Sequence, residues 1–155
     1  MIFNICPAID DDWPAILEMA DRALPGASAD NRHWLQNRQN FDAARYTRRH
    51  YIARLDSEAN LSAYAALEEG PDRKQFRLFL ILPQHFLPEL GEQLLLRLSA
   101  DLAALEAEKV WAWEEAEDPL VAFLLAHGFE ARTRFNLPDG RDSLFLAQEL
   151  RPTTG

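Results

Sequence analysis

The sequence predicts an α/β domain of the α+β kind: one mixed, mostly antiparallel sheet of about seven strands, with helices on both faces and a parallel pair around a central crossover helix. Two observations carry this. Short apolar runs separated by polar turn formers recur through the chain, and the 76–113 stretch reads as strand, long helix, strand. A crossover of that length sets its two strands parallel and is right-handed.

The elements follow in order. The apolar run 2–6 is a strand halted by Pro7; Asp10, Asp11 and Asp12 then precede Trp13, Ile16, Leu17 and Ala20 at helical spacing. Aspartate accepts hydrogen bonds from first-turn amides, Pro14 suits that turn, and Pro25-Gly26 ends the segment. A second helix is expected over 28–41. Runs 51–55, 61–67 and 76–82 form an antiparallel meander across the turns Asp56-Ser57-Glu58-Ala59-Asn60 and Glu69-Gly70-Pro71-Asp72. Leucines at 90, 94, 98, 102 and 105 lay one apolar stripe along a helix over 89–108, leaving Glu92, Gln93, Arg97 and Asp101 on the water side. A strand at 109–113, a helix at 118–127 closed by Gly128, and strands at 129–137 and 143–150 around the turn Pro138-Asp139-Gly140 complete the order.

Composition bounds what this domain does. The 155 residues hold 16 Lys plus Arg against 25 Asp plus Glu, a net charge of −9, with 48% hydrophobic residues. That is enough apolar material for a single domain over 1–155 with its own core. The negative field disfavours nucleic acid and anionic membrane and mildly favours amine partners. The single cysteine, Cys6, has no internal disulfide partner, and no C-x-x-C or H-E-x-x-H spacing exists to hold a metal. The acidic start and the absence of an apolar run longer than 120–126 point to the cytoplasm.

This order of elements resembles the GNAT superfamily of acyl-CoA-dependent N-acetyltransferases. The run Ile5-Cys6-Pro7-Ala8-Ile9-Asp10-Asp11-Asp12-Trp13 looks like the family's first strand and helix start; Pro83 falls where the fourth strand gives way to a loop, and Phe123 with Gly128-Phe129 matches a late aromatic followed by G-F. The resemblance implies acyl transfer from acetyl-CoA or another acyl-CoA to a small-molecule or peptide primary amine, with no metal. It places the pantetheine arm along Leu80, Ile81 and Leu82, and the pyrophosphate near Leu87, Pro88, Glu89, Leu90, Gly91 and Glu92.

Two departures from the family pattern are legible. Its pyrophosphate loop, R-G-x-G-x-G or Q-x-x-G-x-G, corresponds here to Phe86-Leu87-Pro88-Glu89-Leu90-Gly91, which keeps only the last glycine. Pro88 removes an amide donor, and Glu89 adds bulk and negative charge where an anion sits. The family's tyrosine acid corresponds to Leu124, and its upstream asparagine to Glu117. The alternative function is therefore a non-catalytic module of the same fold that has lost CoA, acting as a homodimer or beside a second such domain.

For a general base the candidates are Glu68, Glu69, Glu114 and Glu115, of which Glu114, at the end of the fifth strand, is preferred; the alternative is solvated carboxylates at strand ends. His85 is either a phosphate contact, an acid-base group or a solvent-facing loop residue, and Cys6 is expected in a buried strand as a small hydrophobe. Trp34, Trp111 and Trp113 either pack the core or line an acceptor pocket, Trp111 and Trp113 sharing a side of their strand. Arg45, Arg48, Arg49 and His50 read as a solvated basic run ahead of the second strand.

Overall fold

The structure, a computed structural model, describes residues 2–23, 29–39, 42, 49–55, 60–70 and 74–150. The expected stop at Pro25-Gly26, the 56–59 turn, Pro71-Asp72, Phe41, Arg45 and Arg48 lie outside these residues. In chain order the elements are β1 (Phe3–Pro7), α1 (Trp13–Arg22), α2 (Ala29–Gln36), β2 (His50–Leu55), β3 (Leu61–Glu69), β4 (Gln75–Ile81), α3 (Glu92–Ala104), β5 (Lys109–Glu115), α4 (Pro119–Ala126), β6 (Glu130–Asn136) and β7 (Asp142–Glu149). They form one seven-stranded sheet in the order β1-β2-β3-β4-β5-β7-β6. Every pairing is antiparallel except β4 with β5, the pair joined through α3.

Alternation along the strands divides the core into two. Ile52, Tyr64, Ala66, Phe79 and Ile81 pack against Ile16, Met19 and Ala20 of α1 and Trp34 and Leu35 of α2. Their sequence neighbours Tyr51, Ala53, Ala65, Leu78 and Leu80 point the other way, onto Leu94, Leu98 and Leu102 of α3 and Leu120 and Leu124 of α4. The period of two in the strands therefore meets a helical stripe on each side.

Several sequence expectations need correction. The first strand runs through Pro7, which pairs with Tyr51; β1 is an edge strand, where a missing amide costs no ladder bond. For the same reason Cys6 is exposed rather than buried: Phe3 and Ile5 take the core side of this edge and Cys6 the open one. His50 is not part of a solvated run. It opens β2 at 1% exposure, its Nδ1 sharing a 3.1 Å hydrogen bond with the Tyr64 hydroxyl.

The long helix is also shorter than its leucine stripe suggests. A three-residue 3₁₀ turn (Gln84–Phe86) and a single π turn (Leu87–Gly91) precede α3, and the chain leaves the helix through Glu106 at φ +57°. Asp101 and Arg97 do not simply face water. The Tyr51 hydroxyl donates to Asp101 Oδ2 at 2.7 Å and the Arg97 guanidinium lies 5.4 Å from the Tyr51 ring centre, which ties α3 to β2. Burial and the Asp101 carboxylate push the Tyr51 phenol up to about 12. Among the described residues no helix is long and apolar enough to cross a membrane.

Two turns hold α4 in place. Asp118 Oδ1 accepts from the Leu120 amide at 2.9 Å, capping the helix. Gly128 leaves it at φ +95°, where an added Cβ would lie 2.5 Å from Gln148 Nε2. Gly128→Ala is expected to cost about 1–2 kcal/mol through the left-handed backbone alone, read as a lower urea midpoint at unchanged m-value. Burial raises the Asp118 carboxyl to about 6 from 3.8, against the capping amide, which lowers it. The protonated acid is thus favoured in the folded state, so this stabilisation is complete below about pH 4 and is lost as pH rises through about 6. Asp118→Asn keeps the capping oxygen and should flatten the stability profile across that window; a profile unchanged in slope would remove Asp118 as its source.

Candidate active site

The sheet opens at one place. β4 and β5 pair only at Gln75–Lys109, Phe76–Val110 and Arg77–Trp111. Past Arg77, β4 stays bonded to β3 as far as Ile81–Tyr64, while past Trp111, β5 stays bonded to β7 as far as Glu115–Ser143. Each strand is thus held on its outer side, and the facing edges of residues 78–81 and 112–115 part. The edge of β4 turned toward the opening carries backbone groups that no neighbouring strand pairs, which suits an extended amide-bearing chain as a substitute strand.

Glu114 stands at this opening. It is 0% exposed, and Asn31 Nδ2 donates to its two carboxylate oxygens at 3.0 and 3.3 Å. By alternation Glu114 belongs to the face of Val110 and Ala112, whereas Asn31 comes from α2 on the opposite face; the two meet because the strands have separated there. This overturns the solvated strand-end reading for Glu114. Its neighbours differ: Glu115 pairs with Arg141, Glu68 accepts from the Trp34 indole N–H, and Glu69 is exposed at the end of β3.

On the α2 side of the opening lies a cleft of about 660 Å³. Its walls are His33 and Trp34 of α2, Asn37 just past that helix, Arg77 of β4 and Trp113 of β5, and it is closed by Phe135, Asn136, Leu137 and Ser143 from β6, β7 and their connection. Trp34 is 6% exposed and stacks on Phe79 with ring centres 3.7 Å apart; Trp113 sits 5.0 Å from Phe135 and 5.2 Å from Phe145. Trp34 and Trp113 therefore line a pocket, while Trp111 packs on Phe145 at 5.5 Å and is not among its lining residues. A larger hollow of about 730 Å³ lies at the end of β4 on the α1 side, lined by Arg22 and His85 among others; His85 is exposed there, as expected of a loop residue.

The turn into α3 behaves as its sequence dictates. Lacking the usual glycines, it winds straight into helix: the Phe86 amide donates to the Pro83 carbonyl and the Leu87 amide to the Gln84 carbonyl. Leu87, Leu90 and Gly91 are buried, whereas Pro88, Glu89 and Glu92 are exposed, so Glu89 turns outward. Gly91 is covered: a Cβ there would meet the Phe123 ring at 3.2 Å and Leu87 at 3.5 Å. His127 Nε2 lies 3.6 Å from Glu92 Oε1, bridging the same gap between α3 and α4. Leu124 is core at 0% exposure, so no proton donor replaces the family's tyrosine at that position. Among the described residues no group of three His, Cys, Asp or Glu side chains is placed to hold a metal ion.

Sequence reasoning did not find Asn31, Arg77, Phe135 or Ser143. Arg77 had a signal, being the one charged residue in the apolar run 76–82. Asn31 had none, since an asparagine on a polar helix reads as surface.

Asn31→Asp would set a second carboxylate against the buried Glu114. The variant is expected to lose on the order of 3 kcal/mol at about pH 8. The folded pair holds a proton more tightly than the unfolded chain, so the loss shrinks as pH falls toward about 5. Urea unfolding at both pH values checks this, and equal losses would show that the two side chains do not interact.

No protein-family model matches the sequence, and no curated protein does. Solved structures do. The protein yncA of Salmonella typhimurium, solved with its cofactor acetyl-CoA, superposes with a TM-score of 0.77 at 16% identity over 100% of this chain and 98% of that one. The ribosomal-protein-S18-alanine N-acetyltransferase of Escherichia coli gives 0.72 at 17% identity over 99% of both chains. The paiA N-acetyltransferase of Thermoplasma acidophilum, in complex with coenzyme A, gives 0.72 at 13% identity over 97% and 100%. At these identities the likeness is one of architecture: the chain has the fold of the GNAT acetyltransferases.

Proposed function

We propose that the chain transfers an acyl group from an acyl-CoA to a primary amine by direct attack within a ternary complex. The observation that carries this reading is the buried, amide-anchored carboxylate of Glu114 at the mouth of the β4–β5 opening. The coenzyme supplies an acyl thioester. The unpaired edge at Leu80, Ile81 and Leu82 suits the amides of its pantetheine arm, and two of the neighbours by fold were solved with acetyl-CoA or CoA.

The remaining steps belong to this chain's residues. The cleft beside Trp113 holds the amine against the opening, and Glu114 takes the ammonium proton directly or through one water, freeing the nitrogen lone pair for the thioester carbon. As the C–N bond forms the C–S bond breaks with its electron pair leaving on sulfur, and the second proton shed by the new amide nitrogen passes to water. The departing thiolate has an ordinary pKa of about 8.5 and leaves without a donated proton, which fits a leucine at position 124. Asn31 keeps the Glu114 carboxylate aimed at the opening.

The turn formed by Leu87, Pro88, Glu89, Leu90, Gly91 and Glu92 fits the pyrophosphate less well. It offers an outward Glu89, which leaves the N-terminus of the helix accessible, but Pro88 donates nothing and Phe123 covers Gly91. Affinity for the coenzyme therefore rests mainly on the pantetheine arm.

Titration calorimetry with acetyl-CoA tests the proposal. Micromolar binding, about −8 kcal/mol, is expected for the natural chain. Glu89→Gly should tighten it by up to about tenfold, because a negative charge leaves the anion's neighbourhood. Glu114→Gln should leave acetyl-CoA affinity unchanged and lower kcat by about 10²–10⁴-fold. Absent binding by the natural chain with recovery in Glu89→Gly would instead identify a non-catalytic module that has lost its coenzyme.

A further inference from the structure

A separate hollow of about 200 Å³ lies on the other face of the sheet, under α3. Its floor is Leu78 of β4 and Val110 of β5, its roof is Leu95, Leu102 and Ala103 of α3, and Phe129 closes one side. The space has a local cause. Leu95, Ser99 and Ala103 succeed one another at four-residue intervals on one flank of α3, and the short side chains of the last two leave room that leucines would fill.

The lining decides what suits that room. Leu78, Leu95, Leu102, Val110 and Phe129 are buried, and no Asp, Glu, Lys, Arg or His among the described residues lines the hollow. Its polar groups are the Ser99 hydroxyl and the carboxamide of Gln148, which lies against Gly128. Most of the space therefore borders walls that offer water no hydrogen bond, and an apolar cavity of about 150 Å³ is already large enough to stay dry and bind benzene. An ionised ligand group would be stripped of water here without a counter-charge, which is costly. A neutral hydroxyl or carbonyl is matched instead, since a serine hydroxyl and a carboxamide each donate and accept.

We propose that this hollow binds a small uncharged molecule made of a single-ring apolar body and one hydroxyl or carbonyl group. The ring lies between α3 and the floor of Leu78 and Val110, and the polar group meets Ser99 and Gln148. Phe129 favours an aromatic ring over an aliphatic one through edge-on or offset contact. The hollow shares no lining residue with the cleft beside Trp113, so the inference stands apart from the acyl-transfer reading.

Benzyl alcohol, toluene and benzoate carry the same ring and differ in the group attached to it. Methyl-resolved NMR of the full chain, with no coenzyme present, reads where each one binds. Benzyl alcohol is expected to bind with a Kd of about 1 mM or tighter. It should shift the methyl signals of Leu78, Leu95, Leu102, Val110 and Leu150 and leave that of Leu137, in the cleft, unmoved. Toluene should bind about threefold to tenfold more weakly for want of a hydrogen bond. Benzoate should bind at least about tenfold more weakly because its charge loses water. Ala103→Phe, which starts from an exposed position on α3 and sends a ring into the hollow, should weaken benzyl alcohol by more than about tenfold. Gln148→Leu should bring benzyl alcohol to the level of toluene.

The natural chain alone can overturn the proposal. No methyl shift at about 10 mM benzyl alcohol, tenfold above the expected Kd, would do so. Shifts centred on Leu137, or benzoate bound as tightly as the alcohol, would do the same. An undiminished preference for benzyl alcohol over toluene in a folded Gln148→Leu protein would also count against it. Because acetyl-CoA takes no part in the measurement, failure of this site and failure of acyl transfer are read independently.

Discussion

The feature on which the rest depends is the loss of pairing between β4 and β5 after three residue pairs. A parted sheet is costly unless each strand is held elsewhere, since exposed edge groups lose their partners. Here β4 is bonded along its outer edge to β3 and β5 along its outer edge to β7, so the opening needs no compensating ligand to persist. The two cores do the rest. α3 and α4 pack on one face, α1 and α2 on the other.

From that opening the site follows. A carboxylate on β5 is buried where the strands part, a helix from the far face reaches it through Asn31, and the aromatic side chains of β5 turn toward α2 to wall a cleft. Burial with an anchoring amide fixes the carboxylate's position and limits water around it. The same opening presents a bare β4 edge on one side and an aromatic cleft on the other.

The turn into α3 shows the reverse relation between sequence and function. Without glycines that tolerate unusual backbone angles, the segment 84–91 relaxes into tight helical turns whose amides bond within the chain, and Phe123 fills the space over Gly91. Packing has taken what a phosphate cradle would need.

Local pattern was enough to determine the architecture. Alternation in the strands, the leucine stripe at 90, 94, 98 and 102, and turn formers between runs are short-range signals, and each strand and helix appears within a few residues of its expected place. Glu114 was legible as a candidate because it ends a strand that the crossover places at the sheet's centre. What tertiary structure alone decided is which side chains become neighbours. Asn31 and Glu114 are 83 positions apart, and Arg77 of β4 shares its cleft with Trp34 of α2 and Trp113 of β5. The burial of His50 and the exposure of Cys6 likewise depend on whether a strand is inner or at the edge, a property of pairing order that no local window contains.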